Sequence, residues 1–299
     1  MSCIAITGAT GYVGRFVTAE LQQRGLVVRG LARPGSDRSG FAVPPEWVEG
    51  DLTSKASLAR LVDGADAVVH LAYEHVPGRY RGGEGEDLPA WLEANLNGSL
   101  RLLMAARTAG VKRFIFLSSR AVFSRTEPGR VLDETHPVSP DTHYGAYKAA
   151  VEAFLQSFAH SGDMQTCTVR ATGVYGITWP LERSKWWGLI QAVLKNERIS
   201  SSGGGTEVYG GDVARVIGHL LTEDITGIDA VHLSDLYVTH REVVQLARAL
   251  AGRPGPLPPA PSTAPENVLV SRVLPQLGIT LGGRLRLEAV IAEMIRAAQ

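Results

Sequence analysis

Only two cysteines, Cys3 and Cys167, occur among the 299 residues, each inside a short apolar run (CIAIT and TCTVR) that reads as a buried strand. A disulfide framework or a zinc cluster is therefore not expected, and no spacing of His, Cys or carboxylate residues suggests another metal. An excess of charge is also lacking: 30 Lys+Arg balance 30 Asp+Glu, which argues against a general polyanion binder and so against a nucleic-acid partner. No apolar stretch approaches the roughly 18 residues of a membrane span. The first strand begins at Met1 or Ser2, so no secretory leader is expected ahead of it. These absences lead to the expectation of a soluble cytoplasmic protein with no membrane partner. Disorder is disfavoured too, because 44% of the residues are hydrophobic and 20% charged. That is enough to bury a full core in one large or two unequal domains.

What the chain has in plenty is glycine, 33 of 299 residues, above the roughly 7% of an average protein. Short Val- and Ile-rich runs alternate with segments of helical period, the pattern of a parallel sheet covered by helices. Strands are predicted at 3–7, 26–32, 47–50, 66–72 and 113–119, and within 165–176. Helices are predicted after the first strand as far as Gly25, then at 54–62, 88–109 and 144–160. A polar, glycine-rich loop is predicted from Tyr73 to about Asp87. Beyond Tyr175 the alternation fades. Helices remain near 185–195, 212–222, 240–251 and 286–298, with a short strand at AVHLS (230–234) and an irregular proline-dense connector from Gly252 to Pro265. No internal repeat is visible.

The first strand runs into Thr7-Gly8-Ala9-Thr10-Gly11-Tyr12-Val13-Gly14. A tight turn, close approach of the backbone to a pyrophosphate and packing of helix on strand each favour a residue without a side chain. The helix that follows would offer free N–H groups and a positive dipole end to phosphates. A strand before and a helix after are the context that gives a glycine triplet this meaning. Where an acidic residue would bind a free ribose 2′-hydroxyl, at the end of the second strand, stands Ala32-Arg33-Pro34, which favours NADP(H) over NAD(H). Asp51-Leu52 is expected at the adenine edge, with capping of the next helix as the alternative for Asp51. Tyr144 and Lys148 stand four apart on a predicted helix and so share a face. An ammonium beside a phenol favours the phenolate, making Tyr144 a candidate general acid/base, and Ser119 at the end of the central strand a candidate partner for the substrate oxygen.

The chain as a whole resembles the extended short-chain dehydrogenase/reductases, the NAD-dependent epimerase/dehydratase family. The resemblance rests on TGATGYVG (7–14), GDL (50–52), VVHLA (68–72), NLNGSLRLL (95–103), RFIFLSS (113–119), YGAYK (144–148), VRATGVYG (169–176), DVA (212–214) and a closing LGI…L…V segment. It implies an α/β fold, a Rossmann-like doubly wound parallel sheet with a small C-terminal substrate-binding lobe. The dinucleotide-binding part would span 1–176, and 177–299 would be mainly the lobe, with some segments returning to the main domain. The implied catalytic set is Ser119, Tyr144 and Lys148, with Lys148 also on the nicotinamide ribose and Asn95 supporting from the long helix. Implied cofactor contacts are Gly8, Thr10, Gly11, Tyr12, Val13, Gly14, Arg33, Asp51, Leu52, Leu71, Ala72, Tyr73, Gly173 and Val174. The two long helices pair between subunits in many relatives, so a homodimer is expected.

Three departures narrow the substrate. Relatives that dehydrate nucleotide sugars carry Asp-Glu just after the catalytic hydroxyl, where this chain has Arg120-Ala121. Nucleotide-sugar epimerases carry an asparagine at the position of Gly173 and an arginine at that of Gly205, both serving the diphosphate. Glycine offers no such donor. The substrate half instead offers Trp179, Trp186 and Trp187, near a loop with Tyr73, Glu74 and His75. Glu74, Arg120, Trp179 and Trp187 are the candidate substrate contacts. The leading expectation is an oxidoreductase moving hydride between NADP(H), or else NAD(H), and a small-molecule carbonyl or secondary alcohol. The alternatives are an epimerase with retained NAD and, less favoured, a non-catalytic dinucleotide sensor.

Overall fold

The computed structural model describes residues 2–76, 78–79, 82–127, 129–162, 164–262 and 267–299. Parts of the 73–87 loop and of the proline-dense connector thus lie outside the described residues. Seven strands, β1 (Cys3–Thr7), β2 (Val27–Ala32), β3 (Glu46–Glu49), β4 (Ala67–His70), β5 (Arg113–Ser119), β6 (Gln165–Ala171) and β9 (Ala230–Leu233), form one parallel sheet in the order β3-β2-β1-β4-β5-β6-β9. The strand order reverses between β1 and β4, and ligands of such sheets bind in the crevice at that point, outside the carboxyl ends.

Both faces are covered, which is why β1 and β5 read as continuous apolar runs. Ile4 and Ile6 point to α1 (Tyr12–Gln23) and α7 (Gly210–Thr222), among Val17, Leu21, Val213 and Ile217. On the opposite face Ala5, Val68, Phe114 and Phe116 meet α2 (Lys55–Val62), α4 (Gly98–Thr108) and α5 (His143–His160) through Leu58, Leu102, Leu103, Val151 and Leu155. Hydroxyl caps start two of these helices: Ser54 accepts from the Ser57 N–H and Thr142 from the Gly145 N–H. The expected single helix 88–109 is instead α3 (Leu88–Leu92), a π turn (Glu93–Asn97) and α4. The apolar stripe of Leu92, Leu96, Leu100 and Leu103 runs through all three, so periodicity alone does not betray the inserted residue.

A second sheet of three strands, β10 (Leu236–Thr239), β8 (Gly204–Tyr209) and β7 (Gly173–Tyr175), begins directly after β6. It packs on α6 (Trp187–Leu194), α8 (His240–Ala251) and α10 (Gly283–Ala298) around Trp186, Ile190, Val193, Val243, Val244, Ile291 and Met294. A short helix α9 (Val273–Gln276) lies beside β9. β8 and β10 were not expected from the sequence, because Gly203-Gly204-Gly205 hides the start of β8 behind a turn-like signal. The chain reaches the lobe from β6, returns as α7 and β9, and leaves again through β10.

Candidate active site

The glycine turn is built by close approach. Gly8 has φ of +74°, and a Cβ there would stand 2.7 Å from the Ala72 nitrogen. A Cβ on Gly14 would stand 2.0 Å from the Gly8 carbonyl oxygen, to which Gly11 donates its N–H at 2.9 Å. Each of the three glycines leaves space that a side chain would fill. No side-chain hydrogen bond caps α1 at Gly11, so the N–H groups at its start, around Tyr12, Val13 and Gly14 with Thr10 alongside, suit a dinucleotide's phosphates. Leu71 and Ala72, following β4, are tied to Thr7 through its carbonyl and hydroxyl oxygens at 3.1 and 3.3 Å. Tyr12 donates its hydroxyl to the Gly176 carbonyl and accepts the Lys185 N–H, joining the turn to the second lobe.

At the end of β2, Arg33 is 62% exposed and pairs with Glu74, itself 58% exposed, at 3.3 Å. A pair this open is worth about 0–1 kcal/mol, so the guanidinium is readily available to a phosphate. Asp37, the first acid after Arg33, is turned away: its carboxylate takes the Ser39 N–H and hydroxyl and faces Arg15, and the Ser39 hydrogen bonds hold it below the usual carboxylate range. Buried Arg15 donates to the Ser39 and Asp37 carbonyls, with Phe41 under its guanidinium, fixing this loop. Asp51 does not cap α2, which Ser54 does. It closes a local turn by accepting from Thr53, whose hydrogen bonds lower its pKa. Leu52 is a core residue under Gly98 of α4.

β5 delivers Ser119 to the carboxyl edge beside Ala171. The Ser119 oxygen accepts the Ala121 N–H at 3.1 Å, which leaves its own proton to be donated. Lys148 is buried on α5, donates to the Leu117 carbonyl at 2.6 Å, and lies 4.5–5.8 Å from the ring centroids of Phe116, Tyr147, Tyr73 and Tyr144. Burial pushes its pKa down to about 7, opposed by the Glu152 carboxylate one helical turn on. Glu152 is itself clamped by Arg170, which bridges on to His232. The half-buried Tyr144 ring stands 4.9 Å from that of Tyr73. Gly145 brings α5 against the strand end: a Cβ there would lie 2.2 Å from the Ala121 carbonyl oxygen. The sequence signal for this contact was the glycine inside YGAYK, which periodicity passes over.

Asn95 lies in the π turn, fully buried. Its side-chain oxygen accepts the Glu74 N–H at 2.8 Å, and its amide donates to the Glu74 and Trp91 carbonyls, each at 3.0 Å. It thereby fixes the loop after β4, on which Tyr73 stacks against His75 at 4.9 Å. Burial raises the Tyr73 hydroxyl above the usual tyrosine value and lowers the His75 imidazole below its own.

In the second lobe Gly173 pairs in register with Glu207, and Val174 follows it along β7. A Cβ on Gly173 would stand 2.5 Å from the Glu207 carboxylate, and one on Gly205 3.3 Å. The bareness of both glycines is taken up by this acid, which is 4% exposed and paired with Lys185 at 2.5 Å. Burial raises the Glu207 pKa, against the lowering effect of Lys185. Sequence reasoning missed Glu207, because only the pairing of β7 with β8 brings it over Gly173. Trp179 packs on Gly40 and donates its indole N–H to the Ser39 hydroxyl, so it spans from the second lobe to the β2–β3 loop. Trp186 stacks on Tyr175, and Trp187 packs beside them against the lobe's core. Arg120 donates to the Asn267 carbonyl. Among the described residues no cluster of three or more His, Cys, Asp or Glu is placed to hold a metal, and no helix is long and apolar enough to cross a membrane.

Comparison with known proteins agrees with this geometry. Residues 4–231 match the NAD dependent epimerase/dehydratase family. A putative dihydroflavonol 4-reductase of Synechocystis is 26% identical over 83% of this chain and 71% of its own. A 3 beta-hydroxysteroid dehydrogenase/Delta 5→4-isomerase of Mycobacterium tuberculosis is 30% identical over 64% of this chain, which spans about half, 51%, of that protein's length. A solved UDP-glucose 4-epimerase of Thermus thermophilus in complex with NAD superimposes with a TM-score of 0.76 at 25% identity, over all of both chains. The chain belongs to the NAD dependent epimerase/dehydratase family and is an NAD-dependent enzyme of the extended short-chain dehydrogenase/reductase type.

Proposed function

We propose that this enzyme moves hydride between a nicotinamide dinucleotide, NADP(H) in preference to NAD(H), and an uncharged carbonyl or secondary alcohol, with Tyr144 passing the proton. The observation that carries this reading is the buried Lys148, fixed to the Leu117 carbonyl and facing the Tyr144 ring. In its protonated form, below its pKa of about 7, Lys148 favours the phenolate form of Tyr144 as the hydroxyl proton leaves, which is what general acid/base work asks of it. The Ser119 hydroxyl donates to the substrate oxygen and shares its developing charge. A nicotinamide bound there would supply or accept the hydride. Residues 8–14 would hold the cofactor's phosphates, and Arg33 would take the 2′-phosphate.

The substrate half of the reading is supported by Glu207. The carboxylate over Gly173 engages the Lys185 ammonium, so that cation is not free for a diphosphate, and the Tyr73 ring tilted against Tyr144 suits an apolar, ring-bearing substrate. A specific observation favours a second reading, an epimerase with retained NAD: the likeness to the Thermus enzyme in complex with NAD covers the whole chain at 25% identity.

Ketones, aldehydes and UDP-glucose offered with NADPH and NADH separate the two. Net change in reduced-nicotinamide absorbance means reductase, whereas product without net change means epimerase. Titration of both cofactors with wild type and Arg33→Ala tests the choice of NADP(H), and an unchanged preference removes Arg33 from it. The outward faces of α4 and α5 carry Met104 and Phe154, 54% and 46% exposed. They are the proposed contact of a homodimer, which sedimentation velocity would measure.

A further inference from the structure

We propose that Thr7, His70 and Ser99 form a directed hydrogen-bond chain that fixes the π turn, so that His70 and Ser99 are positioning residues for Asn95 and the Tyr73 loop. The proposal rests on the functional reading above only in what it predicts for turnover.

Thr7 and His70 end adjacent strands and are register partners. The Thr7 hydroxyl oxygen lies 2.6 Å from His70 Nδ1, and His70 Nε2 lies 2.8 Å from the Ser99 hydroxyl oxygen. Ser99 in turn is 2.5 Å from the Asn95 carbonyl oxygen. A carbonyl only accepts, so the Ser99 proton goes to Asn95, and the Ser99 oxygen is left to accept from His70. The imidazole therefore carries its proton on Nε2, and Nδ1 accepts from Thr7. The Thr7 oxygen completes the series by accepting the Ala72 N–H. The three side chains, Thr7, His70 and Ser99, are buried, and the rings of Phe114 and Phe116 flank the imidazole. Burial, reinforced by the charge of Lys148, pushes the His70 pKa down to about 3, which keeps the ring neutral.

The chain ends at the one place where the long helix departs from regular winding. Gly98 shares its N–H between the Asn95 carbonyl and, five residues back, the Glu93 carbonyl, and such turns recur at functional sites. The inserted residue changes the helical phase by about 100°. Asn95 within the turn and Trp91 before it face the loop after β4. Downstream, Leu102 and Leu103 face the sheet. If the turn relaxed to regular winding, Asn95 would rotate off Glu74 and release the loop that sets Tyr73 against Tyr144. Every buried donor and acceptor along the chain is satisfied, so loss of one hydroxyl leaves a buried N–H unpaired on His70.

The test compares Ser99→Ala with Ser99→Thr, which keeps the hydroxyl. Hydrogen exchange, read without any substrate, is expected to quicken about tenfold or more in 91–99 and 73–75 of Ser99→Ala while 8–14 stays as in wild type. Ser99→Thr is expected to restore it. With a turned-over substrate, kcat of Ser99→Ala should fall by at least about tenfold, the usual scale for losing a supporting partner, with cofactor affinity kept within about threefold. Unchanged exchange in Ser99→Ala, or failure of Ser99→Thr to rescue, overturns the proposal. If exchange responds and turnover does not, the positioning of Asn95 stands and its bearing on the reaction is refuted. Should Ser99→Ala not fold, Ser99→Cys, which fills the space but bonds weakly, is read by the same criteria.

Discussion

Replacing Gly145 by alanine separates position from stability at the site. Alanine is the better helix former by about 1 kcal/mol, and Gly145 lies in the first turn of α5, where its N–H is held by the Thr142 cap. The added Cβ, however, would stand 2.2 Å from the Ala121 carbonyl oxygen and 3.0 Å from Pro140 Cβ. The nearer atom is backbone, in the turn that follows Ser119, so it has little room to yield. An ordinary contact requires the start of α5 to retreat by about 1 Å, and with it Tyr144. A displacement of that size costs up to about a hundredfold in rate, or roughly 2.7 kcal/mol of barrier. The helix gain offsets part of the clash, so thermal stability should move by only a few degrees. The assay is steady-state reduction followed at the reduced-nicotinamide band, with cofactor affinity and melting temperature measured alongside. A Gly145→Ala enzyme with kcat/KM within about threefold of wild type would refute the reasoning.

Tyr144→Phe should bind cofactor as wild type does and lose about 10²–10⁴-fold in turnover; fluorescence titration and initial rates together check this, and full activity would remove Tyr144 from the mechanism. Glu207→Gln removes a buried charge while keeping the shape, and calorimetric titration with UDP-glucose should show tighter binding than wild type; equal affinity would sever Glu207 from substrate choice. The lysine gives a pH dependence of stability. Because Lys148 has its folded pKa lowered from 10.5 to about 7, the unfolded chain holds the extra proton between those values. Its contribution is complete above the higher value and falls away toward the lower, by at most about 1.4 kcal/mol per pH unit. Denaturant midpoints of wild type should therefore rise with pH across this window relative to those of Lys148→Met, and parallel curves would contradict it.

What the sequence made legible was the local part of the design. The glycine turn could be read because a missing side chain at Gly8 and Gly14 answers a demand made within a few residues. β1, β4 and β5 could be read because burial on both faces makes their middles apolar, with polar residues confined to the ends. The pairing of Tyr144 with Lys148 needed only helical spacing. What stayed hidden depends on distant contacts or on small changes of phase. Glu207 gains its meaning from Gly173, 34 positions earlier, through a strand pairing that no local pattern announces. The π turn shifts phase by one residue inside an unbroken leucine stripe. β8 begins in a glycine triplet that resembles a loop and becomes a strand because β7 and β10 flank it.

The passage of the chain from β6 into the second sheet, back through α7 and β9, and out again through β10 bears on how the molecule comes apart. α7 closes one face of the main sheet against α1, and β9 is its last strand, yet both are threaded between segments of the lobe. Opening the lobe pulls on the sheet, and melting the sheet frees the lobe. The two should unfold in a single cooperative transition, with probes in either part coinciding. A cofactor held at the glycine turn would then protect the distant helices α8 and α10 from denaturant as fully as it protects α1.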